Sequence, residues 1–160
     1  MRVLAIDPGF DRLGLAVLEG DASKPTLIWS DCVTPAKGEP AERLNAVSSA
    51  VTTALQKYQP DFLALETLFF STNKKTAIGV AQARGVILSA AAAFGVTARE
   101  ISPQTVKLSV TGYGASDKKA VARMVPLLVS LSPKKRLDDE LDAIAVGIAA
   151  LANNYPQAPH

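Results

Sequence analysis

Apolar residues along the chain come first in short strand-like runs and then at helical spacing. Residues 2–7 and 12–18 are two apolar runs that predict strands around a turn at Asp11-Arg12, and Gly20-Asp21 ends the second. After Pro25, residues 26–34 predict a third strand, and the short connections predict an antiparallel meander. Residues 35–39 form a loop. From about Pro40 to Tyr58 the period becomes helical, with Leu44, Val47, Val51, Ala54, Leu55 and Tyr58 on one face. Pro40 suits a first helical turn, and Pro60 stops the helix. Residues 61–66 predict a short buried strand. Returning after a helix, it is expected to run parallel to an earlier strand. A loop at 67–73 leads into a second helix, about residues 75–94, rich in Ala and Gly and closed by Gly95. Residues 96–101 make the fifth strand. Ser102-Pro103 starts a short helix that ends near 112–114. Ser116 can cap the next helix, about 117–129, and residues 132–136 form a basic linker. The last helix starts near Asp138 and ends around Ala152, leaving a frayed tail at 153–160. This order predicts one α/β domain over 1–152: a five-stranded mixed sheet, its first three strands antiparallel, with helices on both faces.

Two carboxylates break this apolar pattern. Asp7 ends the first strand at a Pro8-Gly9 break, and Glu66 ends the fourth. A charge within core-like sequence is expensive unless it is paired or bound to a metal. If the two strands are neighbours, both acids point into one crevice. The last helix opens with Asp138-Asp139-Glu140-Leu141-Asp142. Asp139 and Asp142 are three apart and share a helix face, at the edge of the apolar side made by Leu141, Ile144, Ala145, Ile148 and Leu151. Carboxylates at short range repel unless a cation lies among them, and hard oxygen ligands suit Mg²⁺, with Mn²⁺ as its substitute. Two such ions can activate water and stabilise the leaving oxygen of a phosphodiester. Taken singly, Asp138, Asp139 and Glu140 could serve only to complement a helix N-terminus. Glu66 could be a plain strand-end charge. Asp7, among core residues, has no such simple alternative.

Composition narrows the class. With one Cys and one His in 160 residues, neither an internal disulfide nor a structural zinc site is expected. No secretion signal or membrane span is read, and a cytoplasmic location is expected. The net charge of +2 conceals an asymmetry. Residues 67–136 carry eleven Lys and Arg against two acids, a balance of +9, and the remainder carries −7. A polyanion facing the middle of the chain accounts for this, as would solvated helix faces.

The motifs together resemble the RuvC family of Holliday junction resolvases. The resemblance covers about residues 1–152. Ile6-Asp7-Pro8-Gly9 with Gly14 resembles the family's opening motif, and Leu65-Glu66-Thr67-Leu68-Phe69 its second acidic motif. Ala81-Gln82-Ala83-Arg84-Gly85 is similar to the family's Q-A-R-G segment, the most specific single match. Val106-Lys107 and Gly112-Tyr113-Gly114-Ala115-Ser116-Asp117-Lys118 resemble its V-K and G-x-G-x-x-x-K stretch. Asp139 to Ala145 resembles its closing D-x-x-D-A motif. The resemblance implies an RNase H-like fold and a homodimer that cuts four-way DNA junctions by Mg²⁺-dependent hydrolysis. It implies paired nicks with 5′-phosphate ends and a role in recombination and repair. Asp7, Glu66, Asp139 and Asp142 match the four catalytic acids and would hold two ions. Phe69 matches an aromatic that stacks on a base at the junction, and Lys107 and Lys118 match lysines near the scissile phosphate. Phe70, Asn73 and Arg84 are further expected DNA contacts. The second helix matches the dimer-forming helix, and contact with a branch-migration motor is typical of bacterial members.

Other readings stay open on the residues alone. Phe69 and Phe70 could pack in the core or at a dimer interface, and Lys119 and Lys134 are expected to be ordinary surface lysines. Which of Asp138 and Asp139 acts as ligand rests on the motif alignment. The chain could be a junction-binding module without catalysis, or another nuclease of this fold acting on flaps or hybrids. An actin-like nucleotide-binding module is disfavoured by the short chain and the lack of a second Asp-x-Gly turn.

Overall fold

The computed structural model describes residues 1–67 and 74–153, with the side chains of 74–76 excluded. Its elements in chain order are β1 (Arg2–Asp7), β2 (Leu13–Glu19), β3 (Thr26–Val33), α1 (Pro40–Tyr58), β4 (Phe62–Glu66), α2 (Lys74–Ala93), β5 (Thr97–Ile101), α3 (Pro103–Thr111), α4 (Lys118–Leu128) and α5 (Asp138–Ala152). The strands form one sheet in the order β3-β2-β1-β4-β5. β1, β2 and β3 pair antiparallel, while β4 runs parallel to both β1 and β5. This is the mixed sheet that the sequence predicts. No helix among the described residues is long and apolar enough to cross a membrane.

Strand alternation divides the core into two layers. Leu4, Ile6, Leu15, Val17, Leu63 and Leu65 pack with Val47, Val51, Leu55, Ala83 and Ile87 of α1 and α2. The opposite parity, Val3, Ala5, Ala16, Leu18, Phe62 and Ala64, packs with α5 and with Val106, Val110, Val121 and Val125 of α3 and α4. Because side chains alternate with period two, Asp7 shares the α5 face with Val3 and Ala5. Glu66 shares it with Phe62 and Ala64. Several residues on this face are small, and that lets α5 lie close to the sheet. A Cβ at Gly147 would overlap the Leu18 side chain, and one at Gly14 would overlap the main-chain carbonyl of Asp139.

The helix ends follow local chemistry. The Ser102 hydroxyl accepts from the Thr105 amide at 3.0 Å and caps α3. α4 differs from expectation. Its cap is Asp117, which accepts from the Ala120 amide at 2.7 Å, whereas the Ser116 hydroxyl is engaged with Thr111 Oγ1 at 2.7 Å. A carboxylate is the better acceptor at a helix N-terminus, since it also meets the positive end of the dipole. Gly95 lies beyond the end of α2 at φ +67°, the left-handed conformation expected of a closing glycine.

Candidate active site

The register of the sheet brings the first two acids together. Ile6 pairs with Leu65 across the parallel β1–β4 ladder, so Asp7 and Glu66 end neighbouring strands on the same face. The start of α5 lies over Gly14, the partner of Asp7 on β2. Only a residue without a side chain fits under that carbonyl. Gly14 of the opening motif therefore sets how closely α5 brings Asp139 and Asp142 to Asp7. Gly9 is under a similar restriction, since a Cβ there would overlap the carbonyl oxygen of Arg12.

All four acids thus share one field. Burial, then the charges of Asp142, Glu66 and Asp139, push the Asp7 carboxyl up to about 7, with Lys118 opposing weakly. Burial first, then Asp142, raises Glu66, against the pull of Lys118 and Lys107. Asp142 is also raised, chiefly by burial, although its bond to Lys118 works the other way. Lys118 is raised in turn, because its bond to Asp142 and the charges of Asp142 and Asp7 outweigh its own burial.

Two cations enter this cluster from separate elements. Lys118 Nζ, at the start of α4, lies 2.5 Å from Asp142 Oδ2. Arg12 Nε, in the β1–β2 turn, lies 3.0 Å from Asp139 Oδ2. Asp7 and Glu66 form no ion pair among the described residues, so the site keeps an excess of negative charge. No three acids converge there at metal-ligand distance among the described residues. The ion pairs hold Asp139 and Asp142 toward Arg12 and Lys118 instead. The donor set itself, four carboxylates without thiolate or imidazole, fits a hard divalent cation.

Glu66, Asp142, Lys107 and Lys118 line a cleft of about 180 Å³ walled by Pro103, Val106, Val121, Ala145 and Val146. Both predicted phosphate lysines therefore face the same cleft as two of the acids. On the other side, Asp139 and Arg12 border a wider groove with Phe10, Arg43, Ile78, Gly79 and Gln82. Asp138, the neighbour of Asp139, is exposed. Phe69, Phe70 and Asn73 lie outside the described residues.

Arg84 stands differently from a surface DNA contact. Its side chain is 11 % exposed. Nη1 donates to the main-chain oxygen of Glu66 at 2.9 Å, and Nη2 is ion-paired with Glu100. Lys134 is exposed, as expected of a surface lysine, but it has specific partners. It donates to the Ser30 carbonyl at 2.9 Å and pairs with buried Glu140 at 2.8 Å. Arg136 Nε lies 3.2 Å from the same Glu140 oxygen, and the Ser30 hydroxyl donates to it at 2.5 Å. Sequence reasoning missed this buried cluster and the Arg12–Asp139 pair. Arg12 and Asp139, like Ser30 and Glu140, lie more than a hundred residues apart, so no local spacing signals those contacts. Although Lys134 and Arg136 are near Glu140 in sequence, nothing local shows that this acid is buried.

The family model for Crossover junction endodeoxyribonuclease RuvC matches residues 3–150. A Crossover junction endodeoxyribonuclease RuvC of Moorella thermoacetica is 42 % identical over 149 residues, spanning 92 % of this chain and 89 % of that protein. One from Syntrophomonas wolfei is 42 % identical over 152 residues, spanning 94 % and 88 %. Among solved structures, T. thermophilus RuvC in complex with Holliday junction substrate superposes with a TM-score of 0.86 at 33 % identity, over 93 % of this chain and 92 % of that one. The motifs of the four acids lie within the matched span, and the chain belongs to the RuvC family of crossover junction endodeoxyribonucleases.

Proposed function

We propose that this protein is an endodeoxyribonuclease that resolves four-way DNA junctions by paired phosphodiester hydrolysis in recombination and repair. The observation that carries the reading is the grouping of Glu66, Asp139 and Asp142 around Asp7 closely enough to raise its carboxyl, with more negative charge than Lys118 and Arg12 neutralise. Burying such charge costs stability unless a ligand returns it. These four acids would hold Mg²⁺, with Mn²⁺ as the substitute, and two ions suit four carboxylates. Bound there, the ions would supply Lewis-acid charge and a water of lowered pKa.

The protein's own groups do the rest. Lys107 and Lys118, on the cleft wall beside Glu66 and Asp142, bind the phosphate and stabilise the negative charge that develops on its oxygens. Lys118 leaves Asp142 to do so, which frees that carboxylate as a ligand. Hydrolysis leaves a 5′-phosphate and a 3′-hydroxyl. The segment carrying Phe69, Phe70 and Asn73 keeps the base-contacting role that the family motif implies.

A four-way junction offers two equivalent strands, and a two-fold dimer presents two sites to match. The groove between α1 and α2, lined by Leu44, Ser48, Gln82, Gly85, Ser89 and Phe94, supports this face as the seam. A branch-migration motor would engage the resulting complex in the cytoplasm.

The test is nicking of a synthetic four-way junction, a flap, an RNA–DNA hybrid and a linear duplex, each with Mg²⁺ or Mn²⁺. Symmetrical nicks confined to the junction support the reading. Preferred cutting of the flap or the hybrid would reassign the substrate. Junction binding without nicking under either metal would reduce the protein to a binding module.

A further inference from the structure

We infer that Arg84 is a positioning residue for Glu66, acting from inside the protein rather than on DNA. This rests on the reading of Glu66 as a metal ligand. Arg84 lies on α2 between Ala83 and Ile87, and both of those are buried against the sheet. Its planar guanidinium reaches from the helix to the ends of two strands. One nitrogen holds the main-chain oxygen of Glu66, the last residue of β4. The other meets the carboxylate of Glu100, which lies opposite Leu65 on β5.

The main chain at Glu66 is thereby fixed from two directions. Arg84 holds its carbonyl, and the next amide, Thr67, donates to the Ile101 carbonyl at 2.8 Å. β4 is only five residues long and Glu66 is its terminal position, where a strand is most free to fray. A buried arginine offers a rigid fork of donors that fits two acceptors at once, which the single ammonium of lysine cannot reproduce. Glu100 is one of only two acids between residues 67 and 136, and it is spent on this arginine. The Q-A-R-G arginine is therefore accounted for by the geometry of an acid eighteen residues before it.

The experiment compares wild type, Arg84→Met, Arg84→Lys and Glu100→Gln. It measures Mn²⁺ affinity of the DNA-free protein by calorimetry, junction affinity without divalent metal, kcat for nicking, and the melting temperature. Groups that orient metal ligands typically govern metal affinity and activity by about 10–100-fold. Arg84→Met is expected to lose about that much in both Mn²⁺ affinity and kcat, with junction affinity within about 3-fold of wild type. Arg84→Lys recovers part of the loss. Glu100→Gln, which removes a half-exposed anchor, loses about 3–10-fold in the same two quantities. It carries the test even where Arg84→Met does not fold. Junction affinity falling in step with kcat would make Arg84 a DNA contact and overturn the inference. So would wild-type Mn²⁺ affinity in both Glu100→Gln and Arg84→Lys. A wild type that neither binds Mn²⁺ nor nicks junctions would overturn the site reading itself.

Discussion

Two adjacent acids at the start of α5 have opposite surroundings. Glu140 is buried and receives Lys134, Arg136 and the Ser30 hydroxyl on one oxygen. Asp139 belongs to a group of four acids that Arg12 and Lys118 neutralise only in part, and there Asp7 is driven up to about 7. The first cluster is complete within the protein. It ties the 132–136 linker and β3 to α5 and so fixes the helix whose first turn carries Asp139. The second cluster keeps an excess of negative charge, which the proposed function assigns to holding a cation. A buried carboxylate whose cations are supplied by the protein itself holds structure, and a group of acids left short of cations is a candidate ligand site.

Removing acids should therefore act oppositely in the two places. Glu66→Gln should cut junction nicking by about 10³-fold, roughly 4 kcal/mol of transition-state stabilisation, while the melting temperature holds or rises. A gel assay of nicking beside a melting curve checks both. Glu140→Ala leaves Lys134 and Arg136 without their acceptor and should cost about 2–3 kcal/mol, or a fall of roughly 5–10 °C in melting temperature. Its activity should follow the folded fraction. A Glu140→Ala protein that melts like wild type would erase the contrast.

A smaller effect should appear in the pH dependence of stability without divalent metal. The folded pKa of Asp7, about 7, exceeds its ordinary value of 3.8, so the folded state holds a proton that the unfolded state has released between those values. Stability is therefore fullest below about pH 4 with respect to this group and is lost as pH rises toward 7. Glu66 and Asp142 are shifted the same way and add to the loss. Because these acids titrate together, about 2 kcal/mol is expected rather than the full shift. Melting curves between pH 4.5 and 8 should show the decline in wild type and a flatter profile in Asp7→Asn. Added Mg²⁺ should restore stability mainly at the high-pH end, since the cation competes with protons for the same oxygens.

The sheet and the order of its helices were legible because period two and period 3.6 are written in the apolar positions themselves. Asp7 and Glu66 were legible as candidates for the same reason, since each interrupts a buried strand at its end. Their common face follows from counting parity from Val3 and from Phe62. Long-range partners were not legible. Arg12 meets Asp139, and Ser30 meets Glu140, only because α5 packs over β2 and β3, and no spacing encodes that. Arg84 shows the same limit. Its motif marks it, but the fold alone turns it toward the Glu66 carbonyl and away from the surface. Lys134 resembles any other lysine of a basic linker until the buried carboxylate beneath it is known.

The most direct measurement is the rate of four-way junction nicking by Asp7→Asn in Mg²⁺, at saturating junction and beside wild type. The central claim is that Asp7 is a partly buried carboxylate held for a cation. It predicts a rate at least about 10³-fold lower with junction binding retained, since one cation ligand is lost without loss of fold. Nicking within a few-fold of the wild-type rate would contradict it.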